Sequence, residues 1–378
     1  MQIAILIPLR YPTEKAYGIN IAYTARALCD EGNIVTTVTF GHDSIDFQGN
    51  QVIGIRSRML IMAKTIRDSN HFKVSALGFY LFQLFFSFTA CSFLKKRREL
   101  PTLLITRSPV VAFFSSRLLE NQPRIILELH HIPNSFEKIL INKYSKEVFL
   151  VITNSDFGSQ LSQLGVLKDA IVIPNASPDS FHKIGKLKHL VTEPLNIGFA
   201  GKSTSSGNDN GLWIAIELLE NSPELADRIQ FTFVGCEDSF RSKVSEAIER
   251  GRVSHKSIVM TNHLSHNELL NEVVKFDLAL IPYPEEPYYE RSFPIKIIEM
   301  ASAGVPMLIS NTKAHRRILG EPNLFFFEPG SYLSLKKTLL SVLKDLNSIS
   351  MERQRLLLLA EAYTYKNKAI KFLEIGKN

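Results

Sequence analysis

The stretch Glu290-Arg291-Ser292-Phe293-Pro294-Ile295-Lys296-Ile297-Ile298-Glu299 combines residue types able to hold a phosphorylated ligand. It continues as Met300-Ala301-Ser302-Ala303-Gly304-Val305-Pro306. Ser292 is a good N-cap and Pro294 suits a first turn, so a helix is predicted to start there and to stop at Gly304. The start of such a helix directs backbone N–H groups and a positive dipole end outward, an arrangement that favours a diphosphate. Lys296 adds a positive charge in the first turns. Glu299 lies three residues on, hence on nearly the same face, where a carboxylate can accept two hydrogen bonds from a ribose diol. The plainer alternative is an amphipathic helix whose lysine and glutamate form an i, i+3 ion pair.

Two further sets stand at the predicted ends of strands. Thr106-Arg107-Ser108-Pro109 follows one strand and opens a helix, and Glu128-Leu129-His130-His131 closes the next. Open α/β sheets bind ligands at the C-terminal ends of their strands. There Arg107 can neutralise phosphate, and His130 can orient or deprotonate a hydroxyl. Strand alternation puts Glu128 and His130 on one side and His131 on the other. A structural histidine is the alternative reading of His130. No Asp-x-Asp triplet occurs, so the paired carboxylates that would hold a metal-chelated diphosphate are missing. Charge compensation is expected instead from a helix dipole with Lys202 and Lys296, and no metal or other cofactor is expected.

The elements needed to position these residues are legible as an alternation of β-branched runs and helical stretches. Strands are predicted at Ile3–Ile7, Ile34–Phe40, Leu103–Thr106, Ile125–Leu129, Val148–Thr153 and Ala170–Ile173. A loop through Tyr17-Gly18 leads into the first helix, which Gly32 stops, giving a βαβ unit. The polar, basic stretch from Ala176 to Pro194 reads as an interdomain linker. The alternation resumes at Leu195–Ala200, Ile229–Val234, Ser257–Met260, Leu278–Ile281, Val305–Ile309 and Leu324–Phe327. The fold class is therefore α/β, with two doubly wound parallel sheets.

A chain of 378 residues suits two such domains. With 45% hydrophobic and 21% charged residues it reads as soluble and globular. Cys29, Cys91 and Cys236 form no Cys-x-x-Cys pair, so neither a disulfide framework nor a zinc knuckle follows. The apolar start, Met1 to Pro8, reads as a strand without features of a signal peptide, and a cytoplasmic location is expected. The net charge of +7 favours an anionic partner. It is spread along the chain without any nucleic-acid-binding signature, so a phosphorylated small molecule or an anionic membrane surface is preferred. Val74 to Leu94 contains no charged side chain and runs into Lys95-Lys96-Arg97-Arg98. It reads as a buried core helix, an interfacial helix or, least in keeping with one continuous sheet, a membrane span.

Ser-x-Pro-x-Lys-x-x-Glu-x-Ala-x-Ala-Gly-x-Pro, as it stands from Ser292 to Pro306, resembles the donor-site signature of glycosyltransferase family four. Other stretches are similar to that family in the same order. They are Pro12-Thr13-Glu14-Lys15-Ala16-Tyr17-Gly18, Asn154-Ser155, Val172-Ile173-Pro174-Asn175, Gly198-Phe199-Ala200-Gly201-Lys202 with Gly211, Phe233-Val234-Gly235 and Glu328-Pro329-Gly330. The resemblance implies a retaining GT-B enzyme, whose two Rossmann-like domains face each other across a cleft. On that pattern residues 1–180 bind the acceptor, 190–350 bind the nucleotide sugar, and helices in 351–378 return to the first domain. It implies transfer of a hexose-type sugar from a nucleotide-diphosphate donor to a glycan or lipid-linked acceptor, with bacterial surface-polysaccharide assembly as a common setting. Peripheral attachment to the cytoplasmic membrane face is compatible with that role. The implied nucleotide-sugar contacts are Gly18, Gly201, Lys202, Ser292, Pro294, Lys296 and Glu299. Arg107, His130, Lys202 and Glu290 form the candidate catalytic set.

The sequence departs from the family pattern in three places. Arg291 stands eight residues before Glu299, where members often carry a glutamate, and Glu290 is its neighbour. Pro174-Asn175 is followed by Ala176 instead of glycine, and Asn210 replaces a frequent lysine before Gly211. Two rival readings follow: a GT-B sugar-nucleotide epimerase, and a catalytically silent sugar-nucleotide-binding or scaffold subunit.

Overall fold

The computed structural model describes the chain except residues 10, 12–15, 42–44, 48–49, 69–71, 98–99, 145, 188–190, 206–207, 292, 321–324 and 378, and the side chains of 16, 45–47, 72–74, 205, 208, 266–267 and 290–291. It forms two compact units, Met1–Pro174 with Tyr365–Asn378, and Asn175–Thr364.

The first unit is built on β1 (Gln2–Ile7), β2 (Ile34–Phe40), β3 (Ile45–Phe47), β4 (Asn50–Ile55), β5 (Leu103–Thr106), β6 (Arg124–Glu128), β7 (Val148–Ile152) and β8 (Ala170–Val172). Their order in the sheet is β3-β4-β2-β1-β5-β6-β7-β8, parallel throughout except for the antiparallel β3–β4 edge. Ile3 to Ile7 are all buried, as a strand covered on both faces requires. The helix Ala16–Asp30 makes the first crossover, and Gly32, at φ +78°, ends it in the left-handed conformation that glycine adopts without strain. The β3–β4 hairpin is an addition to the expected elements; β3 has only three residues and β4 opens with polar Asn50 and Gln51.

The second unit carries β9 (Leu195–Ala200), β10 (Thr204–Ser205), β11 (Asn208–Asp209), β12 (Ile229–Val234), β13 (Ile258–Thr261), β14 (Leu278–Ile281), β15 (Met307–Ser310) and β16 (Phe326–Phe327). Six of these make an all-parallel sheet in the order β13-β12-β9-β14-β15-β16, and β10 and β11 form a separate hairpin. Phe199, Phe231, Phe233, Leu280 and Leu308 fill one side of the sheet. Ile281, Ile297, Ile298 and Ile309 fill the other. Both sheets thus have the doubly wound α/β architecture that the alternation of runs implies.

Two boundaries differ from the sequence reading. The supposed linker contains the helix Asp179–Gly185 and counts with the second unit. Arg353 holds it there, donating from Nη2 to the carbonyls of Gly185 and Leu187 at 2.9 and 2.7 Å and from Nη1 to that of Gly304 at 2.8 Å. The helix Asn347–Ala360 that carries Arg353 therefore also belongs to the second unit. Only the last helix, Tyr365–Lys377, counts with the first.

The long apolar segment is the helix Phe72–Arg97. Phe82, Phe86, Ala90, Cys91 and Leu94 enter the core of the first unit, whereas Leu77, Phe79 and Phe88 are exposed. A Cβ on Gly78 would overlap the backbone of Arg67, so this glycine permits close packing on the helix Arg58–Arg67. The helix is thus core along one face and open along another, although its length and composition alone would suffice to cross a membrane.

Candidate active site

In the second unit, chemistry-bearing residues collect where β9 ends. Gly201 follows the strand at φ +129°, and a Cβ there would collide with the Lys296 ammonium group. That ammonium lies over the Phe199 ring, 4.4 Å from its centroid, at a geometry suited to a cation–π contact. Lys296 sits in the first turn of the helix Ile295–Ser302, so helix start, lysine and glycine loop are brought together. Pro294 occupies the N-cap position and offers no side-chain cap, one step earlier than the first-turn place expected of it. The proposed cap Ser292 lies outside the described residues, as does the side chain of Glu290.

Glu299 lies on the same helix, and both it and Lys296 are half-buried. Among the described residues the two form no ion pair within 4.0 Å, and the Glu299 carboxylate accepts no hydrogen bond. The i, i+3 ion-pair alternative is therefore not realised. Burial pushes the Glu299 carboxyl up to about 7 against the pull of Lys296. Burial pushes the Lys296 ammonium down to about 8, although Glu299 opposes the shift. A cation and a carboxylate are left without compensating hydrogen bonds beside a helix start.

The neighbouring loop is fixed by a residue that motif spacing did not single out. Glu237 accepts hydrogen bonds from the backbone N–H and the hydroxyl of Ser203, both at 2.6 Å, and from the Thr204 hydroxyl at 3.0 Å. Burial alone would raise its carboxyl, but these donors outweigh burial and bring it down to about 2. Asn210, in the place of the family's second lysine, is structural: its amide donates to the Lys202 carbonyl at 2.7 Å and accepts from the Tyr289 hydroxyl at 2.8 Å. Gly211, at φ +77°, faces the Pro282 carbonyl where a Cβ would not fit. Lys202 is exposed, and its side chain makes no ion pair among the described residues.

In the first unit, a cavity of about 520 Å³ opens beside the C-terminal ends of β1, β5 and β6. On its wall, buried Glu128 accepts from Arg107 Nε at 2.7 Å and from Lys368 Nζ at 2.5 Å, and His130 Nε2 lies 3.3 Å away. Asn20 Oδ1 accepts from Arg107 at 2.6 Å and from Lys368 at 3.0 Å. Burial alone would raise the Glu128 carboxyl, but Arg107 and Lys368 hold it well below the usual carboxylate range. Burial, then the Arg107 charge, lowers the His130 imidazolium, which leaves a neutral ring near pH 7. His131 pairs with Glu137 at 3.2 Å instead of with Glu128, and both of these residues also line the cavity.

Arg107 is engaged by Glu128 and Asn20. One expectation needs correction here. Gly18 lies inside the helix Ala16–Asp30 of the first unit and is buried, not on a loop; residues 12–15, quoted for the loop, lie outside the described residues. Lys368 and Asn20 had no visible signal, because the contact between Lys368 and Glu128 joins residues 240 positions apart.

Residues 195–345 match the model of the family described as glycosyl transferases group 1. No curated protein sequence matches the chain. Among solved structures, a glycosyltransferase from Rickettsia africae ESF-5 is 16% identical with a TM-score of 0.73, covering 100% of this chain and 97% of that one. A sucrose-phosphate synthase from Thermosynechococcus elongatus is 12% identical with a TM-score of 0.68, covering 99% and 97%. An Anabaena protein solved in complex with UDP and glucose is 13% identical with a TM-score of 0.65, covering 99% of each chain. The two-unit architecture is the GT-B fold, and the chain is a glycosyltransferase. Its matched region, which carries Gly201, Lys296 and Glu299, is a glycosyl transferases group 1 domain, in agreement with the resemblance to family four.

Proposed function

We propose that the second unit holds a nucleotide-diphosphate sugar and that the first unit holds the acceptor of a hexose-type sugar, transferred with retention. The observation that carries the reading is the uncompensated pair Lys296 and Glu299 beside Gly201 and a helix start. A diphosphate complements the lysine and the N–H groups, and a ribose diol complements the carboxylate. The UDP bound to the Anabaena neighbour supports a nucleoside diphosphate as the ligand class. In the first unit, a neutral His130 held by Glu128 can orient an acceptor hydroxyl. A glycan or lipid-linked acceptor on the cytoplasmic side of a membrane, in surface-polysaccharide assembly, fits the family resemblance.

Thermal unfolding with a panel of nucleoside diphosphates tests the donor reading, since a ligand bound only by the folded state raises the midpoint. The expected result is a rise with one or two bases; no rise with any of them overturns it. Transfer from the matching nucleotide sugar is expected to persist in excess chelator. The support is the lack of an Asp-x-Asp triplet and of any cluster of three or more His, Cys, Asp or Glu side chains among the described residues suited to a metal. Activity lost to chelator and restored by magnesium or manganese would oppose metal-free charge compensation.

Nucleotide affinity is expected to be bell-shaped in pH. Glu299 accepts two hydrogen bonds only when ionised, so affinity rises as pH climbs through about 7. Lys296 attracts a diphosphate only when protonated, so affinity falls as pH passes about 8. Outside that window the decline approaches about tenfold per pH unit on either side. Calorimetric titration from pH 5.5 to 9.5 measures it; a flat profile removes both groups from the contact set.

Peripheral attachment to anionic membrane is the other part of the proposal. Leu77, Phe79 and Phe88 are exposed on the helix Phe72–Arg97, as are Met59, Ile61 and Met62 on the adjoining helix, and Lys95-Lys96-Arg97 closes the apolar run. Flotation with anionic vesicles is expected, with release as salt screens the basic cluster. Equal flotation on neutral vesicles removes the electrostatic part.

A further inference from the structure

The acceptor-side cavity is built for hydrocarbon more than for sugar. Ile7, Ile21, Phe79, Ile105 and Ile132 line it, and its ionisable groups fall into two internally paired sets, Arg107 with Glu128 and His130, and His131 with Glu137. Arg107 and Glu128 are mutually satisfied, so most of the surface offered to a ligand is apolar. A water-soluble glycan of many hydroxyls would lose more hydration against these apolar walls than the few polar side chains among the lining residues could replace. One polar atom of the lining residues is left without a hydrogen-bond partner. Gln83, 3% exposed on the helix Phe72–Arg97 and one of the residues lining the cavity, uses its amide oxygen to accept from the Ser108 hydroxyl, while its buried amide nitrogen has no partner among the described residues. A buried donor of this kind needs an oxygen, and none of the described residues provides one.

The cavity also connects with the open face of the same helix. Phe79 and Ile132 line the cavity and are exposed. Phe79 packs edge-on against Tyr80 with centroids 5.4 Å apart, and Tyr80 against exposed Phe136 at 5.1 Å. An apolar track therefore leads from the interior to a hydrophobic flank of the first unit.

We propose that this cavity seats the hydrocarbon chain of an amphiphilic acceptor, acyl- or isoprenoid-linked, with an ester, ether or phosphate oxygen accepting from Gln83 and the sugar hydroxyl lying at His130. The proposal rests on the reading of the first unit as the acceptor side. It narrows the acceptor from a glycan or lipid-linked molecule to one that carries a long apolar chain. A volume of about 520 Å³ lies in the range of ligand pockets and accommodates part of such a chain, the rest following the track outward.

The full-length protein is titrated with n-dodecyl β-maltoside below its micelle concentration, and with maltose as the chainless control. Saturable one-to-one binding of the amphiphile is expected, with maltose weaker by more than about tenfold, since each buried methylene adds to affinity. Ile21→Trp narrows the cavity and is expected to abolish binding, with an unchanged circular-dichroism spectrum showing that the fold survives; Gln83→Leu, which removes the proposed donor, is expected to weaken binding without abolishing it. A diazirine at the end of the dodecyl chain is expected to label residues 5–9, 79–83 and 105–109. Equal binding of both probes, or labelling confined to other segments, overturns the proposal. The UDP-induced thermal shift is recorded on the same samples. A normal shift without amphiphile binding defeats this inference alone, whereas amphiphile binding without any nucleotide response defeats the donor reading alone.

Discussion

Glu299→Gln is expected to lower affinity for the matching nucleoside diphosphate by about 10- to 100-fold while the protein stays folded. The substitution keeps the shape of the side chain but removes the charge and half of the accepting capacity. A hydrogen bond to a charged group contributes about 1.5–3 kcal/mol, which sets the size of the loss. The effect on the free protein has the opposite sign. Its folded-state carboxyl is raised by burial to about 7. The folded state therefore loses stability, relative to the unfolded chain, as pH climbs from the ordinary carboxylate range through that value. At pH 8 the glutamine variant, having no charge to bury, should unfold at the same temperature as the wild type or higher. Had Glu299 served an ion pair with Lys296, the outcome would be reversed: lower stability and unchanged affinity. Calorimetric titration and thermal unfolding on the same two proteins separate the cases, and unchanged nucleotide affinity in a folded variant would sink the ribose assignment.

The donor half of the site was legible because its geometry is local. The spacing from Pro294 to Glu299 fixes which residues share a helix face, and the β9 motif fixes where glycine follows a strand. Parallel strands read as buried β-branched runs, and β1, β2, β5, β9, β12 and β14 lie where those runs place them within a residue. Non-local contacts were invisible. Glu237 faces Ser203 and Thr204 only because β9 and β12 are neighbours in the sheet, a pairing decided by the whole topology. The stretch 176–194 looked like a linker because its polar side chains mask Phe181, which is fully buried in the second unit. Gly18 appeared to belong to a loop because glycine is a poor interior helix residue, yet its place near the start of the helix Ala16–Asp30 is tolerated.

Lys368 illustrates the same limit with a larger energetic consequence. On sequence it is one of several lysines in the helix Tyr365–Lys377, and solvent exposure would be the natural expectation. In the fold it is 3% exposed, bonded to Glu128 and Asn20, and it anchors that helix to the sheet of the first unit. Glu128 compensates both Lys368 and Arg107, so its replacement is the more damaging change. Glu128→Gln leaves two cations facing a neutral amide and is expected to destabilise the first unit by about 3–5 kcal/mol, the range for an unpaired buried charge. Lys368→Met leaves Glu128 with Arg107 and His130, and is expected to fall at the low end, about 3 kcal/mol. Combining the two substitutions should cost less than their sum, because they remove the partners of one interaction. Denaturant unfolding followed by circular dichroism measures the loss. Trp213, the only tryptophan, lies in the second unit and reports separately on that part of the chain. A Glu128→Gln protein whose circular-dichroism midpoint matches the wild type would show that the cluster is solvated, and His130 would then lack the fixed carboxylate on which its orienting role depends.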